Sequence, residues 1–402
     1  MPPESPPDSF ASAASRLALP AVVAFAVVVR VVVIVALLMQ ITGGREPKGY
    51  VTRFSEIATA PGRPYRDHPV EYPPMSLGVI ELLGDEDPFA AGVRVLWFAA
   101  AADALVAISL LWGWGRRASA AYLGASVPIL WSLYQTLDIL PVVLASWGVA
   151  LAWRHRERSG GALLAAAALA KLWPVVLVPG LAVWGRRRAL AWCVGVLAAG
   201  TVLWVSWGGT GALSQVATQR QTPGWEVEST VGVLVWMVGD EEIEAVKDSP
   251  RVGVAPTWAK ALLAGVTALG VAGLWIRAAR GDAAREVGAP SLACVALLLF
   301  LAPIYSYPYV LWILPWMAIG WSEGRTTLAG LAFGVVLLTA VLYALLDVAP
   351  EWVLQLVLLL RNVATGAIPV AYVLGRAGQP VSWAASASGS VTGSLQVKRS
   401  QT

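Results

Sequence analysis

Two carboxylates, Asp67 and Glu71, a histidine, His68, and two arginines, Arg63 and Arg66, are crowded into GRPYRDHPVEYPPM, the stretch from Gly62 to Met75. Tyr65 and Tyr72 are interleaved with them. A carboxylate held here could act as general base toward a hydroxyl acceptor; it could equally be hydrogen-bonded by the neighbouring arginines. Pro64, Pro69, Pro73 and Pro74 fix φ and remove backbone donors, which predicts a stiff loop and not a helix or central strand. Without helical register, Asp67 and Glu71 need not face each other. Such a loop is a place for chemistry, or a solvated connector.

Other candidates lie farther along. Asp138, in TLDILP, stands between two apolar runs and would cap the second or take part in a site. Lys171 interrupts an otherwise apolar stretch, 160–185. An anionic partner such as a lipid phosphate suits it; snorkelling is the alternative. In RQTPGWEVES, 220–229, Arg220 with Glu226, Glu228 and Trp225 would suit phosphate and sugar recognition, the arginine for phosphate and the aromatic ring for a sugar face. An ordinary juxtamembrane loop would have the same residues. SYPYVLWILP, 306–315, places Tyr309 in an aromatic mouth that an interfacial belt also explains. His155 lies in a basic cluster and is assigned no chemistry. No P-loop, GxSxG, His-rich metal spacing or dinucleotide glycine motif is present.

The elements that must position these residues are membrane helices. Hydrophobic residues make up 57% of the chain and charged residues 13%, about half the share of an ordinary soluble domain. Mean hydropathy is +0.65. Apolar runs of about twenty residues recur throughout, which predicts an all-α, polytopic helical bundle without strands. The net charge of +4 is modest, and the basic residues fall in short clusters between apolar runs. That is a topology signal and excludes a nucleic-acid footprint. Cys193 and Cys294 lie within apolar runs and read as buried thiols.

Residues 1–16 are predicted to be a disordered cytoplasmic segment, 17–375 the transmembrane domain, and 376–402 a disordered cytoplasmic tail. Arg30 falls mid-span and should face the bundle interior. The stretch 160–185 is flanked by Arg158 and Arg186–Arg188, so it reads as a hairpin of two short helices turning near Pro174. Counting crossings gives about twelve, with both termini in the cytoplasm and the long loops 42–88 and 208–256 outside. No transporter-like repeat is visible.

Five pieces in order, PYRDHPVEYPP (64–74), LDILP (137–141), ALAKLWPVVLVP (168–179), RQTPGWEVES and SYPYVLWILP, resemble glycosyltransferase family 87. This family comprises polyprenyl-phosphate-mannose-dependent mannosyltransferases with the C-type membrane architecture. The resemblance covers about 17–375. It implies transfer of a hexose, mannose by family habit, from a polyprenyl-phosphate donor to a lipid-linked or glycan acceptor at the outer face of the cytoplasmic membrane. It implies no cofactor beyond the donor, no metal and no nucleic acid; partners are donor, acceptor and membrane lipids. The family pattern has its base Asp where this chain has Tyr50, and Ser-Pro-Gln-Tyr where it has Ser306-Tyr307-Pro308-Tyr309. A phenol titrating near 10 is a poor base. Either Asp67, Glu71 or Glu56 takes over, with Lys171 and Arg220 clamping phosphate and Arg66, Tyr65, Tyr72, Asp138, Trp225, Glu228 and Tyr309 lining the site, or the chain is a non-catalytic binding protein or transporter on the same fold.

Overall fold

A computed structural model describes residues 9–44, 49–219, 224–239, 242–246, 249–281 and 286–375; of 9–18, 49, 50, 217–219, 245 and 246 only the backbone is described. The chain is helical almost throughout. Helix α1 (Ser9–Thr42) is followed by α2 (Gly49–Thr59), α3 (Pro74–Leu83), α4 (Pro88–Trp114), α5 (Arg116–Ala125) and a single turn, α6 (Leu130–Leu133). Then come α7 (Ile139–Trp153), α8 (Glu157–Ala170), a 3-10 turn at Trp173–Leu177, α9 (Val178–Val183), α10 (Arg187–Gly208) and α11 (Gly211–Gln219). Strand β1 (Trp225–Glu226), α12 (Thr230–Val238), β2 (Glu244–Val246) and β3 (Ser249–Val252) form a small outer element. The chain ends through α13 (Thr257–Arg280), α14 (Gly288–Leu301), a 3-10 turn at Tyr307–Trp312, α15 (Leu314–Ser322), α16 (Thr326–Leu345) and α17 (Glu351–Val373).

Among the described residues, six helices are long and apolar enough to cross a bilayer: Leu19–Thr42 of α1, α4, α10, α13, α16 and α17. Others are shorter: α7, α8 and α14 have 15, 14 and 14 residues. At 1.5 Å per residue each rises about 21–23 Å, short of a 30 Å hydrocarbon core.

Three expectations need correction. A sheet exists: β3 pairs antiparallel with both β1 and β2, in register Trp225↔Val252 and Glu226↔Arg251 on one side and Glu244↔Arg251 on the other. Strands of two to four residues are too short to show period-two alternation. The 42–88 segment is not one loop, because α2 and α3 lie within it. Pro74 opens α3 at its first turn, where a missing N–H costs nothing. Helix α1 begins at Ser9, inside the segment expected to be disordered. Residues 1–8 and the tail 376–402 lie outside the described residues.

Close packing holds the centre. Helices α7, α8 and α10 meet across glycines, and a Cβ on Gly161 would come within 2.1 Å of the Ala189 carbonyl oxygen. The buried charges of Arg30 and Asp103 compensate each other. Arg30 Nε donates to Asp103 Oδ2 at 2.7 Å, and Tyr122 and Tyr134 donate to the same carboxylate at 2.7 and 3.0 Å.

The loops at one end of the bundle are basic and mutually bonded. Arg186 contacts His155 at 2.8 Å and donates to the Trp153 carbonyl; Arg154 donates to the Trp112 carbonyl; Arg325 pairs with Glu286. Helix α8 starts at this end, at Glu157, so Lys171 emerges at the other.

Candidate functional site

The site is built on the broken end of α8. Pro174 has no N–H, so the Ala170 carbonyl loses its helical partner. Ser76 of α3 replaces it, donating its hydroxyl proton to that oxygen at 2.7 Å. Lys171 leaves the helix in an extended conformation, φ −158° and ψ 139°.

That turn aims the ammonium at a carboxylate and a stack of rings. Lys171 Nζ is ion-paired with Asp138 Oδ1. It lies 4.2 Å from the Tyr309 ring centroid and 5.1 Å from that of Trp312. Trp312 Nε1 donates to the same Asp138 oxygen at 3.2 Å, and Thr136 Oγ1 donates to Oδ2 at 3.2 Å. Tyr309 stacks on Trp312 at 4.2 Å and 18°, and Trp312 stacks on Trp173 at 5.3 Å and 11°. Asp138 therefore does not cap α7. It occupies the N-cap position, yet its side chain makes no cap bond. An ion pair and a charge-assisted indole bond outcompete a backbone amide.

The proline-rich stretch divides in two. Its first half is structural. Asp67 is exposed, and its Oδ2 accepts the Arg63 N–H at 2.6 Å. Gly62 turns beneath it at φ +93°, and a Cβ there would lie 2.6 Å from that of Asp67. Tyr65, buried at φ +67°, donates to the Tyr72 carbonyl and leans on Trp204 and Trp207. Arg66 donates to the Ser206 carbonyl at 3.1 Å. Gln215 of α11 clamps the loop, donating to the Tyr65 carbonyl and accepting from Val70 N–H.

The second half approaches the site. Glu71 accepts two bonds from Arg53, at 3.0 and 2.9 Å, and Arg53 also reaches Glu56 at 3.1 Å. Next to it, the Tyr72 phenol is pushed above its ordinary pKa by burial and by the nearby charges of Glu71, Asp138 and Tyr309. Tyr72, whose ring packs edge-on against Phe54 of α2, lies within electrostatic range of Asp138 and Tyr309.

On the Tyr309 side stands the small sheet. Glu226 is buried; its Oε1 accepts from Ser306 and, at 3.2 Å, from Ser249. Burial raises its pKa, against the lowering effect of Ser306, Arg251 and Ser249. Glu228 pairs with Arg361 of α17 at 2.8 Å, and Arg361 also donates to the Glu228 and Tyr305 carbonyls. Burial pushes the Glu228 carboxyl up to about 7; Arg361 opposes this and Glu226 adds to it. Trp225 is a core residue, its indole donating to the Val254 carbonyl at 3.0 Å.

The structure therefore brings together Asp138, Lys171 and Tyr309, with Tyr72 in electrostatic range of Asp138 and Tyr309; Glu71 is paired with Arg53, and Glu226 accepts from Ser306, three residues before Tyr309. Asp67, Tyr65, Arg66 and Trp225 serve the scaffold. Arg220 lies outside the described residues, and of Tyr50 only the backbone, in α2, is described. Sequence reasoning missed Arg53, Trp173, Arg251, Trp312 and Arg361. Arg361 carried a readable signal, a charge within the apolar run 352–373, as Arg30 does in the first. The two tryptophans were hidden among 20, most attributable to interfaces. Among the described residues no group of three or more metal-ligating side chains is found.

An ammonium and a carboxylate beside the half-buried Tyr309 ring can hold an anion and accept a proton, while Trp312 and Trp173 behind that ring are buried and support it. The chain matches no protein-family model and no curated protein.

Proposed function

We propose that the chain is a membrane hexosyltransferase that moves a hexose, mannose as first candidate, from a polyprenyl-phosphate donor to a lipid-linked or glycan acceptor on the extracytoplasmic face. The observation that carries this is the Lys171–Asp138 pair set against the Tyr309–Trp312–Trp173 stack. The side of the membrane follows from charge: the basic loops gather at the far end of α8, and such loops stay in the cytoplasm. About twelve crossings, short helices included, and a C-type glycosyltransferase architecture belong to the same reading.

In this reaction the acceptor oxygen attacks the anomeric carbon. The bond from that carbon to the phosphate oxygen breaks, its electron pair leaving with the polyprenyl phosphate. The acceptor proton passes to a carboxylate. Asp138 is the carboxylate beside the cation and the rings; Glu71 is next, once Arg53 releases it. Asp67 would need the Gly62 turn to open. Lys171 neutralises the departing phosphate.

The test is transfer of radiolabelled mannose from a polyprenyl phosphate to a glycolipid acceptor by the full chain in nanodiscs. Transfer by the wild type, lost in Asp138→Asn and kept in Tyr50→Phe, is expected. A second reading, a non-catalytic binding protein, is favoured by Tyr50 at the family's aspartate position. Saturable donor binding without transfer, with transfer gained by Tyr50→Asp, would establish that reading instead.

A further inference from the structure

Among the described residues Arg251 has no hydrogen-bonded acceptor, although Glu226 and Glu244 stand opposite it on the two neighbouring strands. It sits on β3, directly opposite Glu226 of β1, and is 4% exposed. Its Nε is fully buried without a hydrogen-bond partner, and among the described residues its guanidinium donates to none. Glu226 Oε2 is likewise buried and unpartnered. A guanidinium carries five donors, and burying it unpaired is costly. The neighbours do not settle the account: Glu226 and the Tyr309 phenol are within electrostatic range, and so is a second cation, Lys260 of α13. Desolvation accordingly pulls the Arg251 pKa down.

Buried arginines in a finished scaffold look different. Arg361 has Glu228, Asn362 and two carbonyls. Arg30 has Asp103, Ser126 and two carbonyls. Arg251 alone of these three keeps its fork unused among the described residues, and it does so within electrostatic range of Tyr309, whose ring also receives Lys171.

We propose that Arg251 is an anion anchor, its guanidinium fork binding a phosphate group that reaches the site from the Tyr309 side. A planar fork matches two phosphate oxygens, which a lysine cannot do. The phosphate could belong to a lipid headgroup or be free in solution; the chemistry at the arginine is the same. The anion-binding claim stands on the geometry of Arg251 alone, and only its assignment to a sugar donor rests on the function proposed above.

The experiment uses the full chain in nanodiscs, with two probes, a short polyprenyl phosphate and inorganic phosphate, and reads affinity and thermal unfolding together. Arg251→Gln should weaken binding of whichever probe binds by about tenfold or more, the size of a charge-assisted bidentate contact. Because the side chain makes no hydrogen bond to the described residues, Tm should hold or rise. Arg251→Lys should retain an intermediate affinity, charge without fork. Unchanged affinity in both variants overturns the proposal. So does a fall in Tm for Arg251→Gln with Arg251→Lys binding as the wild type does, which would mark a structural cation. Binding of inorganic phosphate alone, dependent on Arg251, upholds the anchor and removes the polyprenyl donor. Donor binding abolished by Lys171→Ala but untouched by Arg251→Gln removes the anchor and leaves the transferase reading standing.

Discussion

Lys171 and Asp138 are ion-paired although thirty-three residues separate them, and each stands where a helix is interrupted. The pair joins the end of α8 to the start of α7 and holds Trp312 against both through the shared Asp138 oxygen.

Breaking half of this pair should cost more than removing all of it. Side-chain exposure is 24% for Lys171 and 11% for Asp138, so solvent screens the remaining charge only in part. Lys171→Met is expected to destabilise by about 2 kcal/mol, and Lys171→Met/Asp138→Asn by clearly less. Thermal unfolding of the two single variants and the double one gives the coupling. Strict additivity would mean that the two charges do not sense each other.

Ser76 is a distant lever on the same centre. Ser76→Ala removes the donor that satisfies the Ala170 carbonyl, which Pro174 cannot replace. A loss of about 1–3 kcal/mol is expected for the orphaned acceptor. Because that carbonyl directly precedes Lys171, polyprenyl-phosphate affinity should fall as well. Full stability with full affinity would show that another group takes the bond.

The Glu228 carboxyl makes stability depend on pH, and the sign follows from its direction. Its pKa is about 7 in the fold against an ordinary 4.5. Between those values the folded chain keeps a proton that the unfolded chain has released, so this contribution to stability falls as pH rises from about 4.5 to about 7. Facing it are Arg361 from α17, Glu226 from β1, and Tyr305 and Tyr307 from the segment before α15. Glu228→Gln should flatten the dependence of Tm on pH over this window. A slope equal to the wild type's would assign the titration elsewhere.

How far the sequence disclosed this arrangement differs by element. Apolar runs marked the helices, and Pro174 marked the break that exposes Lys171, because both are local effects of side-chain solubility and a missing N–H. The partner of Lys171 was a different matter. Asp138 looked like a cap from its position alone, and only the approach of α8 to α7 shows that its carboxylate turns sideways. In the proline-rich stretch Asp67 read as the freer carboxylate and the first candidate base, ahead of Glu71. The φ of Gly62 and the reach of Arg53 from α2 separate them, and neither is encoded in their spacing. The β1–β3 pairing that sets Glu226 opposite Arg251 joins residues from two sides of α12, too few to leave a pattern.

Arg30 adds a constraint of a different kind, on the order of events during synthesis. Its acid, Asp103, follows seventy-three residues later, in α4, so α1 leaves the ribosome before its counter-ion exists. A mid-span arginine facing lipid costs roughly 2.5–3.5 kcal/mol even on the mildest insertion scales. The first span is therefore expected to wait, in contact with the insertion machinery or a water-filled vestibule, until the second long one arrives to neutralise it. Nascent chains halted before residue 103 should keep α1 crosslinked to the translocon, and Arg30→Leu should release it early; equal crosslinking would dismiss the idea. One ion pair then acts as a checkpoint, letting the membrane accept these two helices together or not at all.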